Sequence, residues 1–382
     1  MTFLVAAALL AAEPLLWNAA VESQARSRTE VFDGAHSGLG EVELRGTLGL
    51  LADDPDGRTA LQWAPELLLR KDTFGASPET GNTTQQAGRL ELRRRLLPGT
   101  QLAFRAGLDW GWTDFSPLSS APAIGVGLPP TRFVRTLGLS SELELVQSFS
   151  GRLQLAVAAS ALRGGGVGHE AVQALPFQLE ARAHAQLTWA ADRQSSLSLL
   201  LGSGQSRFFS LRQIAVLSYA QASWAVRATR DLRLDAAAGL SVLRSFGDSG
   251  ASQTTYPAGS LGAALEVPVG PRGALRGFLR GGLSPSIDGL TALGTETARL
   301  EGGAAASSGA LTVHLDASRG YAVSGAFQGT DSLRFEGSAA FAASREWAVE
   351  GGAGAARTNQ LPFAGWQSQL FVRLRWGAAG SI

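Results

Sequence analysis

From residue 40 onward, apolar and polar positions alternate along the chain with a period of two. Between Gln101 and Thr113, Leu102, Phe104, Ala106, Leu108, Trp110 and Trp112 fall on one face, and Gln101, Arg105, Asp109 and Thr113 on the other. In Gln178 to Trp189, Leu179, Ala181, Ala183, Ala185, Leu187 and Trp189 oppose Gln178, Glu180, Arg182, His184, Gln186 and Thr188. Leu232 to Val242 and Trp366 to Trp376 repeat the pattern. Alternation sustained over ten or more residues predicts a strand with one apolar and one polar face.

Reading every such segment predicts strands at 40–51, 58–71, 86–97, 100–113, 132–147, 151–163, 175–189, 195–203, 212–228, 231–245, 256–268, 272–283, 295–305, 309–318, 331–343, 346–357 and 366–376. Most exceed the ~5–6 residues of an average strand. They suit the ~9–11 residues that cross a bilayer at a tilt, with some overhang. The connections alternate in length. Short ones such as Leu97-Pro98-Gly99, Ser148-Phe149-Ser150, Ala228-Thr229-Arg230 and Ser344-Arg345 separate long Gly/Ser/Pro-rich ones at 72–85, 114–131, 164–174, 204–211, 246–255, 284–294, 319–330 and 358–365. Tight turns on one rim and long loops on the other describe a transmembrane barrel with periplasmic turns and external loops. Seventeen strands break the even-number rule for single-chain bacterial barrels. An additional outward strand within Ala25 to Asp33 makes eighteen; sixteen, with one segment misread, stays open.

Composition narrows the picture. Gly contributes 47 of 382 residues, and only 17% are charged against ~25% in soluble domains. The absence of Cys excludes disulfides and thiolate chemistry. Lys+Arg 33 against Asp+Glu 32 leaves a net charge of +1, which argues against nucleic acid as a partner. The apolar run Phe3 to Ala12 is too short to span a bilayer as a helix and suits a secretory leader. Residues 1–25 are assigned to it, with Ala12 and Ala20 as other cut points; the barrel is expected over 26–376 and a tail over 377–382.

If the strands close on themselves, the apolar faces meet lipid and the polar faces line the interior. Trp110, Trp112 and Trp366 then mark the long-loop rim, and Trp63, Trp189, Trp224, Trp347 and Trp376 the short-turn rim. Arg94 and Arg135 fall on the apolar face, each near a rim, where the ~2–4 kcal/mol cost of a midplane arginine shrinks toward zero. The candidate lumen-lining residues are Arg89, Glu91, Arg93, Arg105, Asp109, Glu180, Arg182, His184, Arg233, Asp235, Arg299, Glu301, Arg334, Glu336, Arg373 and Arg375. Glu66, Arg70, Arg95, Glu142, Glu144, Arg152, Arg227, Arg276, Arg280, His314 and Asp316 join them on the same face. So many charges need water or pairing, and a barrel of 16–18 strands encloses an aqueous channel. Inward aromatics are few: Tyr219, Phe278, Phe371 and Phe208. No Gly-x-Ser-x-Gly occurs, and the four His are too scattered to ligate a metal. Neither catalytic residues nor a cofactor is expected, although His314 and Asp316 share a face. Gly164-Gly165-Gly166 reads as a flexible loop with no helix behind it.

The alternation, sorted connections and aromatic girdles resemble Gram-negative outer-membrane β-barrels over residues 27–376. The size and strand number also resemble the 18-stranded barrels of polysaccharide-export systems. The resemblance implies outer-membrane lipid and the barrel-assembly machinery as partners. That machinery reads an aromatic terminal strand, as in Trp366 to Trp376. It also implies a periplasmic export protein, if the cargo is a polymer. The expected function is a hydrophilic conduit for polysaccharide or small solutes. The alternatives are a docking barrel with a blocked lumen that binds a partner through its loops, or a lumen enzyme around His314 and Asp316.

Overall fold

A computed structural model of the chain describes residues 15–32, 35–54, 56–72, 81–115, 133–209, 211–247, 250–270, 273–288, 293–325, 328–360 and 364–381. The strands are β1 (Leu15–Phe32), β2 (Ala35–Asp54), β3 (Gly57–Asp72), β4 (Gly81–Leu97), β5 (Thr100–Asp114) and β6 (Phe133–Ser148). Then follow β7 (Leu153–Gly166), a short helix α1 (His169–Ala174), β8 (Gln178–Ala190), β9 (Ser195–Phe208), β10 (Gln213–Arg227), β11 (Leu232–Gly247) and β12 (Gly250–Val269). The chain ends with β13 (Gly273–Ile287), β14 (Gly294–Ser308), β15 (Leu311–Gly325), β16 (Asp331–Ala342), β17 (Trp347–Thr358) and β18 (Gly365–Ser381). Each strand pairs antiparallel with its sequence neighbours, and β1 pairs with both β2 and β18. The sheet is a closed barrel of eighteen strands with no free edge.

All seventeen strands expected from the alternation are present, and β1 supplies the eighteenth. Both ends of the barrel reach further than expected. Residues 15–25, assigned to the leader, form the first half of β1, and residues 377–381 continue β18 instead of forming a tail. Of the three cut points only Ala12 leaves β1 whole; the apolar run 3–12 lies outside the described residues. The strands are also longer than the apolar pattern. β2 and β12 each have 20 residues, or ~66 Å at ~3.3 Å per residue, against an apolar band ~25 Å tall. Consequently most connections on the long-loop side shrink, for example to residues 248–249 between β11 and β12. The Ser-, Thr- and Gly-rich segments read as loops show little apolar alternation, yet they hydrogen-bond as strand.

The inversion of burial shows which face is which. Leu261, Leu370 and Leu315 are 60–70% exposed, whereas Arg28, Glu41 and Gln367 are at most 2% exposed. In a single-layered wall only the concave face can be shielded, so the polar face is the interior and the apolar face the outside. Trp63, Trp110, Trp112, Trp189, Trp224, Trp347 and Trp366 are all exposed, and the Trp347 and Trp376 rings sit 6.4 Å apart. Arg135 lies on the outer face as expected, with its guanidinium 5.3 Å from the Trp110 ring.

The short turns are capped by local side chains. In Pro98-Gly99 the glycine has φ +82°, as the third position of a type II turn requires. Four longer turns share one device. Ser150, Asp192, Thr229 and Ser344 each accept hydrogen bonds from the backbone N–H groups two and three residues ahead. On the opposite rim Gly164-Gly165-Gly166 ends β7 and is followed by α1, contrary to the loop expected there. A Cβ on Gly166 would strike the Ala171 carbonyl, so this glycine lets the helix lie close on the strand.

Two outcomes check this architecture. Leu201→Arg, on the outer face of β9 and 50% exposed, is expected to destabilise the folded barrel by about 2–4 kcal/mol in urea titrations from vesicles. The Asp192 carboxyl, held below its ordinary 3.8 by the Gln194 N–H, the Ser195 hydroxyl and the Ser195 N–H, supports its turn at all higher pH. That support is lost as pH falls through the depressed value. Carbon-13 NMR titration should place its midpoint below 3.8, and Ser195→Ala should move it back toward 3.8.

Candidate functional site

The inner face falls into three sectors of different wetness. The first runs over β17, β18, β1, β2 and β3 as a ladder of ion pairs. Glu350 meets Arg373 at 3.1 Å and Arg375 at 3.5 Å. Both arginines also meet Glu22, at 3.1 and 2.8 Å. Gln24 accepts from Arg373 at 3.1 Å. Arg26 pairs with Glu41 and, at 3.4 Å, with Glu43; Arg28 reaches Glu41 at 3.3 Å. Arg45 bridges Glu43 at 3.0 Å and Glu66 at 2.7 Å. The centre of this ladder is dry: the side chains of Arg28 and Glu41 are 0% exposed. A cavity of about 390 Å³ borders it, with Arg334 and Glu336, 2.7 Å apart, on its flank.

The second sector lies over β4–β8. Arg89 donates to Asp109 at 2.8 Å, Arg93 lies 2.5 Å from Glu91, and Arg105 reaches Glu142 and, at 3.1 Å, Glu144. Arg182 pairs with Glu180 two residues earlier on the same strand. Arg89, Glu91, Arg105, Glu142, Glu180 and Arg182 line a recess of about 520 Å³ in the wall. His184 stands beside Gly202, which leaves room for the Tyr219 ring.

The third sector, β11–β15, is wet and loosely paired. Arg276 and Glu266 are 2.8 Å apart but 67% and 61% exposed. Arg280 is 4.0 Å from Asp235, and Arg299 is 3.1 Å from Glu301 with its side chain 53% exposed. Arg233 is exposed on the same face. His314 and Asp316 lie two residues apart on the inner face of β15. Among the described residues, no group of three or more His, Asp or Glu is placed to hold a metal ion.

All sixteen candidate residues therefore lie on the inner face, and fifteen of them have a described ion pair or hold an open position in the wall as just given; His184 is placed by packing. Sequence reasoning missed the driest part of the interior. Glu22, Gln24, Arg26 and Arg28 fell where β1 was assigned partly to a leader, because its outer positions are Ser23, Ala25, Ser27 and Thr29 and give a weak apolar signal. Glu41, Glu43 and Arg45 alternate with Val42 and Leu44 and were readable as an inward set. Of the expected inward aromatics, Phe278 is exposed, whereas Phe371 is buried and Phe208 packs into a closed cluster with Ala215, Leu243 and Tyr256. The side chain of Arg70 lies outside the described residues.

The architecture matches solved porins along nearly its whole length. OpdK from Pseudomonas aeruginosa, in a crystal structure with vanillate, superposes with a TM-score of 0.50 at 11% identity, covering 97% of this chain and 100% of that one. OccAB4 from Acinetobacter baumannii (TM-score 0.49, 9% identity) covers 97% of this chain and 99% of its own, and OccK8 (OprE) from P. aeruginosa (0.48, 10%) covers 96% and 99%. No protein-family model and no curated protein matches the sequence. The fold is that of the Gram-negative outer-membrane barrels, a closed eighteen-stranded porin-like wall. With its apolar outside and polar inside, the wall is that of a transmembrane β-barrel.

Removing one member of the dry ladder leaves charge without a counterpart in a water-poor wall. Glu41→Ala is expected to lower barrel stability by about 3 kcal/mol or more, whereas Glu266→Ala, on the wet side, should change it by less than about 1 kcal/mol. Denaturant titration of the two variants side by side makes the comparison.

Proposed function

We propose that this barrel is a channel for small polar solutes and that its water path runs off-centre, against β11–β15. The gradient of wetness around the inner wall carries this reading. Ion pairs on β18–β3 are shielded and tightly shared, while those on β11–β15 stay solvated. A wall whose charges are half or more exposed faces water, whereas a ladder of densely shared pairs shields its own members. Long paired side chains crowded along one side of the lumen narrow what remains, which favours small solutes over an extruded polysaccharide. Both signs of charge border the path, so solutes meet alternating attraction and repulsion with no uniform field. A porin-like fold supports transport over catalysis, and the His314–Asp316 pair lacks the hydrogen bond that would make it a base.

The reading is tested by conductance of the purified protein in planar bilayers, with OpdK's vanillate as a first specific solute in vesicle-permeation assays. Stable single-channel steps are expected. Charge reversal on the wet side, in a double variant of Arg276→Glu and Arg280→Glu, is expected to move the reversal potential in a salt gradient toward cation preference, by roughly two-fold or more in permeability ratio. A barrel that is folded yet never conducts, or one whose selectivity ignores this change, overturns the reading.

A further inference from the structure

Arginines on the outer surface of the barrel gather at one end. Arg135, Arg163, Arg207, Arg244, Arg319 and Arg357 all project from the lipid-facing side of their strands near the long-loop rim. At the short-turn rim the corresponding face carries Arg94. A guanidinium facing lipid is tolerated where headgroups begin, but tolerance gives no reason for it to recur at one rim. The neighbours of three of them supply the reason.

Arg163 on β7 and Arg207 on β9 both stand in register with Leu179 on β8, so they flank it on either side. Arg135 lies one strand further, on β6. Each rests on an aromatic ring and not on a carboxylate: Arg135 on Trp110 at 5.3 Å, Arg163 on Phe177 at 5.4 Å, Arg207 on Phe209 at 5.3 Å. The rings orient the guanidinium planes and leave their N–H donors free to meet an anion. Directly below, a groove of about 490 Å³ runs across the outside of β4–β7 and ends at Arg163. Its floor is Gly88, Ala106, Ser141 and Ala161, and Leu108 and Leu139 form its sides. A Cβ built on Gly88 meets nothing within 4 Å, so the floor is open space and not a tight backbone contact.

An apolar trough in the bilayer face that ends at Arg163, with Arg135 and Arg207 on neighbouring strands at the same rim, has the shape and charge of one ligand class. We infer that it holds a phosphate-bearing, multiply acylated lipid of the leaflet facing the long loops, with an acyl chain in the groove and phosphate on Arg135, Arg163 and Arg207. The barrel carries its own comparison. A second groove of about 560 Å³ on the outside of β12–β15 ends at Arg319 and Tyr321, but Asp331 pairs with Arg319 at 3.2 Å and cancels its charge. That groove accepts a chain without selecting phosphate.

Native mass spectrometry of the purified barrel in neutral detergent, titrated with bis-phosphorylated lipid A, tests the assignment. Wild type is expected to retain the lipid. The triple variant R135Q/R163Q/R207Q should bind it roughly ten- to a hundred-fold more weakly, as expected for three arginines at an anionic surface. Gly88→Leu, which fills the groove and leaves every charge in place, should also weaken binding, whereas R319Q should not. Heat-modifiable gel mobility verifies that each variant is folded. The inference falls if the triple variant binds as wild type does, or if dephosphorylated lipid A binds wild type as tightly as the phosphorylated form. It also falls if millimolar inorganic phosphate displaces the lipid, which would make the patch a simple anion site.

Discussion

Every feature of this molecule follows from the requirement that backbone N–H and C=O groups pair within the protein where no water is present. An open sheet in hydrocarbon would leave two edges of unsatisfied groups, each costing several kcal/mol. The chain meets the requirement by bringing β1 against β18, pairing Leu16 to Phe32 with Ser381 to Gly365. Closure leaves a wall one strand thick, with oil on one side and water on the other. The period of two along the sequence is the direct imprint of that wall. Each residue faces lipid or lumen, and its neighbour faces the other way.

The same constraint makes the interior uneven. A soluble protein hides apolar side chains and solvates its charges; here the outward leucines such as Leu261, Leu315 and Leu370 are exposed while Arg28 and Glu41 are buried. Burial of ions is unfavourable unless pairing is dense, and the ladder over β17–β3 is dense because arginines and carboxylates alternate between adjacent strands. Arg45 shares Glu43 and Glu66, and Glu350 shares Arg373 and Arg375. On β11–β15 the pairs are sparse and wet, as water can do the work of a counterion there. The position of the water path is thus written in how completely the wall neutralises itself.

The strand count, the order and the facing of nearly every charged residue could be read from the chain, because alternation of Leu108, Trp110 and Arg105, Asp109 reports local geometry alone. What escaped were features set by distant partners. The lengths of β2 and β12 were underestimated because segments such as Gln253-Thr254-Thr255 have no apolar face to reveal them; they are strand because β11 pairs with them. β1 was truncated for the same reason, its outer positions being small and its identity resting on two neighbours. The helix α1 was missed because six residues over a glycine run carry too little periodicity. The dryness of the ladder is not legible either, since it depends on how side chains from several strands crowd together and no single segment reports that.

The seam between β1 and β18 differs from every other pairing in the wall, because no turn joins the two strands. A hairpin inherits its register from the length of its turn; β1 and β18 are some 350 positions apart and inherit nothing. Lipid contact cannot supply the register, as Ser23, Ala25, Ser27 and Thr29 offer little apolar surface to align. A slip of two residues would keep every side chain on its proper face and most backbone pairs intact. Charge is what distinguishes the correct alignment. Glu22 stands opposite Arg375 and beside Arg373, Gln24 opposite Arg373, and Glu30 opposite Gln367, which donates to it. A two-residue shift one way would bring Gln24 opposite Arg375 and Arg26 opposite Arg373, setting two guanidinium groups against each other, and a shift the other way would leave Arg375 opposite Ala20 and Gln367 opposite Arg28. The ion-pair ladder thus crosses the one junction where side chains alone can specify how the barrel closes, and the shielding of its members strengthens the discrimination.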